Sequence, residues 1–86
     1  MARSSPRGEL DEALECYEKG LKITRELGNR KDKASILNNI GCVYELKGDK
    51  GKALDYYRRA LELYKQLGAK REIEIVERNI RRLEGG

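Results

Sequence analysis

Leu37-Asn38-Asn39-Ile40-Gly41-Cys42-Val43-Tyr44, followed by Gly48-Asp49 and by Lys52-Ala53-Leu54-Asp55-Tyr56-Tyr57-Arg58-Arg59-Ala60-Leu61, is the stretch on which the fold turns. Its apolar residues recur at helical spacing, and no window alternates as a strand requires. Gly48 stands where the first of two helices stops, because glycine takes the left-handed cap conformation cheaply. The small residues Gly41, Ala53 and Ala60 let two antiparallel helices approach closely, and the large residues beside them fill the remaining space.

Outward from this hairpin, glycines recur at Gly8, Gly28, Gly48 and Gly68, a spacing that calls for a repeat test. A shift of 40 residues pairs Ala13-Leu14 with Ala53-Leu54, Tyr17 with Tyr57, Leu21 with Leu61, Leu27-Gly28 with Leu67-Gly68 and Asn39-Ile40 with Asn79-Ile80. Conservative matches include Gly20 on Ala60, Ile23 on Leu63 and Ile36 on Val76. The chain is thus about two copies of one unit. The periodicity predicts four helices, near residues 9–27, 31–47, 50–67 and 70–84, joined by short turns. Met1-Ala-Arg-Ser-Ser-Pro-Arg7 shows no such pattern and is expected to be a disordered lead-in (residues 1–7) to a helical domain over residues 8–86.

The central unit resembles a tetratricopeptide repeat. Leu37, Ile40, Gly41, Tyr44, Gly48, Ala53, Tyr57 and Ala60 stand at the offsets of that family's signature. The resemblance implies an all-α, right-handed superhelical solenoid of antiparallel helix hairpins. It spans residues 8–84 but is out of phase: helix 9–27 is similar to a second helix without its first, and helix 70–84 to a first helix without its second. In that last helix Arg81 and Glu84 replace the family's small residue and Tyr. The family's usual closing Pro is missing, and the 40-residue period is similar to the longer repeats of kinesin light chain and related adaptors.

The resemblance also implies a function, a non-catalytic scaffold or adaptor whose first helices line a concave groove for a peptide or a partner's helix. By position, that groove presents Ser35, Asn38, Asn39, Cys42 and Glu45, then Ile75, Arg78, Asn79 and Arg82. Asn39 and Asn79 occupy the same position in successive units, where an amide both donates to and accepts from a peptide backbone. The competing reading has these amides bonding neighbouring helices or water. Arg78 and Arg82, four residues apart, suit a carboxylate or phosphate, but Glu74 and Glu77 can pair with them locally.

Composition narrows the classes. Of 86 residues, 19 are Lys or Arg, 15 are Asp or Glu and none is His, so charged residues reach 40% against 38% apolar. Without His the commonest general base and metal ligand are missing, which argues against an enzyme, and no cofactor is implied. No run of about 18 apolar residues suggests a membrane span, and no leader pattern is visible, so a cytoplasmic setting is expected. Cys16 and Cys42 fit no metal spacing and are expected to be small buried fillers.

The net charge of +4 is local, concentrated in residues 47–71. Glu12 and Glu18 fall at the repeat positions of Lys52 and Arg58, which predicts ion pairs between helices 9–27 and 50–67 rather than a nucleic-acid surface. A nucleic-acid role for Lys50, Lys52, Arg58, Arg59 and Lys65 is a third reading, behind a protein or peptide partner and behind self-assembly. Self-association as a homodimer is expected from the phase of the repeats, which leaves Leu10, Leu14, Tyr17 and Leu21 at one end and Ile73, Val76, Ile80 and Leu83 at the other in search of cover.

Overall fold

The structure, a computed structural model, describes residues 6–85. Four helices run in order, α1 (Pro6–Leu27), α2 (Arg30–Lys47), α3 (Lys50–Leu67) and α4 (Lys70–Gly85), and the described residues contain no strand. The lead-in expected over residues 1–7 lies outside the described residues as far as residue 5. Pro6 already opens α1, a position where its missing N–H costs nothing.

One turn is built three times. Gly28, Gly48 and Gly68 have φ of 71°, 88° and 68°, and the residue after each closes the preceding helix. The Asn29 N–H donates to the Thr24 carbonyl at 3.0 Å, that of Asp49 to Tyr44 at 2.8 Å, and that of Ala69 to Tyr64 at 3.0 Å. Carbonyls left over at the helix end are thereby satisfied. Asn29 and Asp49 then cap the next helix, accepting from the Asp32 and Lys52 N–H groups, each at 3.1 Å. These short turns fold each helix back on its predecessor.

The central hairpin holds the core. Ala34 and Leu37 of α2 and Ala53, Tyr57, Ala60 and Tyr64 of α3 are buried together with Val76 and Leu83 of α4. At the closest approach, a Cβ on Gly41 would stand 2.7 Å from the Tyr57 ring and 3.2 Å from the Ala53 carbonyl oxygen. Only glycine fits there. A second cluster joins Leu14 of α1 to Ile40 and Val43 of α2, with Leu10, Ala13 and Tyr17 packed around it.

These contacts narrow the expectation of open apolar ends. Leu14, Val76 and Leu83 are buried within the chain, while Leu10, Tyr17, Leu21, Ile73 and Ile80 are half-buried at the edges of the two clusters. Helical periodicity identifies residues that share a face; it does not say that α2 and α3 already cover those faces. The exposed large apolar residues are Ile23, Leu27, Leu46, Leu67 and Ile75. Cys16 is also exposed rather than buried, and Cys42 is half-buried.

Because α1 packs on α2, α2 on α3 and α3 on α4, the molecule is a slab of 47 × 36 × 18 Å with two grooves. One runs between α2 and α4 over α3. The other runs between α1 and α3 over α2.

Candidate functional site

The α2–α4 groove carries the residues that the sequence singles out. At one end, in the last turn of α2, Glu45 Oε1 accepts from Arg82 Nη2 at 2.7 Å and from the Tyr57 hydroxyl at 2.8 Å, while Oε2 accepts from Arg82 Nε at 3.0 Å. A planar guanidinium matches a carboxylate through two such bonds. The Arg82 bonds hold the Glu45 carboxyl below its ordinary value against the opposing effect of burial, with the Tyr57 hydroxyl helping. Arg82 is held above its own ordinary value, first by the same bond.

Tyr57 is the floor. Its ring is fully buried and its hydroxyl lies 3.2 Å from Cys42 Sγ as well as 2.8 Å from Glu45. The one hydroxyl proton serves the carboxylate, the stronger acceptor. Burial foremost, and then these two neighbours, push the phenol well above its usual range. Cys42 and Glu45 are both half-buried beside the Tyr57 hydroxyl.

The amides lie further along. Asn79 Nδ2 donates to Asn38 Oδ1 at 3.4 Å, so the partner of Asn79 is Asn38 rather than its repeat equivalent Asn39. That bond is long, and the pair retains the Asn38 amide donors and the Asn79 carbonyl oxygen. Asn39 is half-buried, and no hydrogen bond engages its side chain among the described residues. Arg78 is exposed and takes part in no ion pair among the described residues. Ser35 and Ile75 are exposed at the same end.

The ion pairs differ from those expected. Arg58 meets Glu84 at 2.6 Å instead of Glu18, and Lys52 sits over the Tyr44 ring at 5.4 Å instead of meeting Glu12. Asp11 is bound by Lys47 at 2.6 Å and Asp55 by Arg59 at 3.1 Å. Since α2 fills the space between α1 and α3, equivalent positions on those two helices are neighbours in the repeat but lie across a groove. All five tyrosines are buried or half-buried, and Tyr44 stacks on Tyr56 with centroids 5.5 Å apart. Little aromatic surface is left on which bases could stack.

The second groove escaped the sequence reading. Between α1 and α3 lies a cavity of about 490 Å³ floored by Leu21, Leu37, Tyr56 and Leu63, with Glu18, Arg25, Lys33, Arg59 and Glu62 at its rim. The available signal was the α1 stripe Glu18, Leu21, Arg25, a leucine between charges at helical spacing.

None of the four helices is long and apolar enough to cross a membrane. Comparison with known proteins gives one family: the model for the tetratricopeptide repeat, a repeat that generally mediates protein–protein interaction, matches residues 6–66. No curated protein and no solved structure matches. With glycine-closed antiparallel hairpins, the Gly41–Tyr57 close approach and a family match over most of its length, the chain belongs to the tetratricopeptide repeat family.

Proposed function

We propose that the protein is a non-catalytic interaction module that binds an extended peptide along the α2–α4 groove, with Asn38, Asn39 and Asn79 bonding the peptide backbone and Arg78 taking an acidic side chain. The observation that carries this reading is the state of the amides. Asn38 and Asn79 share one long bond of 3.4 Å, and half-buried Asn39 has no side-chain partner among the described residues. An extended backbone alternates donors and acceptors, and side-chain amides answer both. Glu45 and Arg82 neutralise each other, so their part is to fix the spacing of α2 and α4 rather than to grip the ligand by charge.

The test is a peptide selected from a random display library on the immobilised chain, followed by titration of that peptide into the N39A/N79A double variant. Loss of affinity by about tenfold or more, with an unchanged circular dichroism spectrum, supports the reading. Undiminished affinity in the folded double variant removes it.

A further inference from the structure

We infer that the α1–α3 groove, on the face away from Asn39 and Asn79, is a second docking site, and that its occupant is a polypeptide segment in which a large apolar side chain is followed by acidic residues. Leu21 from α1, Leu37 from α2 and Leu63 from α3 line the groove together. Leu37 is buried and the other two are half-buried, packed at the edge of the core. Three helices thus contribute one apolar patch, and the cavity of about 490 Å³ above it lies within the range of preformed ligand sites, about 300–1,000 Å³.

Charge decides which occupant fits. At one end Arg25 and Lys33 border the cavity. They also border an adjoining hollow that adds Arg30 and contains no acidic residue. Among the described residues neither Arg25 nor Lys33 forms an ion pair. Arg59, the remaining basic group on the rim, is engaged by Asp55 at 3.1 Å and lies over the Tyr56 ring at 5.4 Å. Glu18 and Glu62 on the same rim form no ion pair among the described residues either, so the excess positive charge lies in the adjoining hollow at the α1–α2 turn, where Arg25, Arg30 and Lys33 stand without an acidic residue. A ligand that matches both features places an apolar side chain on the leucines and carboxylates on Arg25 and Lys33.

The probe is a short synthetic peptide, acetylated and amidated, with two leucines followed by three aspartates. It is titrated into the full chain labelled with ¹⁵N, beside one control with serines for the leucines and another with lysines for the aspartates. The expected result is amide shift changes clustered around Leu21, Leu37, Leu63 and Lys33, with both controls weaker by about tenfold or more. The double reversal R25E/K33E should then prefer the lysine peptide. The inference is overturned if the lysine peptide binds the unaltered chain as well as the aspartate peptide does. It is equally overturned if the shifts cluster at Asn39 and Asn79, or if no shift develops up to millimolar peptide. Should R25E/K33E fail to fold, the comparison of the three peptides on the unaltered chain still decides.

Discussion

Arg82 of α4 grips Glu45 of α2 through both Nε and Nη2, at 3.0 and 2.7 Å, and the same carboxylate takes the Tyr57 hydroxyl of α3 at 2.8 Å. One side chain therefore ties three helices and sets the width of the α2–α4 groove. The acid is 24% exposed and the guanidinium 53%, so solvent screens the pair and its worth at neutral pH is on the order of 1 kcal/mol.

That pair predicts a pH dependence. Arg82 holds the folded-state value of Glu45 below the ordinary 4.5, so its stabilisation is complete above that value and is lost as pH falls through the lower, folded one. Urea unfolding at neutral pH and at pH about 3 should show that E45Q loses less stability on acidification than the unaltered chain. An equal loss in both proteins would mean that the pair contributes nothing to folding.

Gly41 and Gly20, both inside helices, should respond oppositely to alanine. At Gly41 the new Cβ meets the buried Tyr57 ring at 2.7 Å, and G41A should cost about 1–3 kcal/mol despite the better helix propensity. At Gly20 the nearest atom is Ile36 Cδ1 at 3.0 Å, the far end of a flexible side chain that moves cheaply. G20A should be neutral or stabilising by up to about 1 kcal/mol. Thermal or urea unfolding of both variants measures the difference.

Alkaline conditions should weaken the core through Tyr57. Its folded-state value is raised above the ordinary 10.0 by burial first, then by Cys42 and Glu45. The stability linked to this group is therefore full below pH about 10 and falls as pH rises toward the folded value. In Y57F the ring stays and the titrating hydroxyl goes, so unfolding followed between pH about 9 and 11 should show a shallower decline than in the parent. An identical decline would point to another group.

The cysteines should differ in reach. Cys16 is exposed and Cys42 half-buried beside the Tyr57 hydroxyl, so a thiol reagent should label Cys16 first and Cys42 slowly, read by mass spectrometry of digested protein. Equal rates would contradict the placement of α2 on α3.

Helix positions and the central packing were legible because they depend on local spacing. The contact of Gly41 with Tyr57, and the burial of Ala53 and Ala60, follow from which residues share a face and which are small. What lay beyond the sequence was which neighbour each face meets. Leu14 and Val76 are found on the right stripes, but α2 and α3 cover them, while Leu10, Tyr17, Leu21, Ile73 and Ile80 stay half-buried. Glu18 and Arg58 hold equivalent repeat positions, yet Arg58 turns to Glu84 because the groove over α2 parts α1 from α3. In the candidate site two pairs of the residues named from the family's offsets meet across α2 and α4, Asn38 with Asn79 and Glu45 with Arg82, while Asn39, Cys42 and Arg78 make no such bond. Which amide faces which depends on the offset between two helices distant in sequence.

Intermolecular nuclear Overhauser effects between a library-selected peptide and the ¹⁵N-labelled chain would locate an extended peptide along α2 and α4. Contacts are expected from the peptide backbone to the side-chain amides of Asn39 and Asn79. Contacts confined to α1 and α3, with Asn39 and Asn79 unperturbed, would contradict that placement.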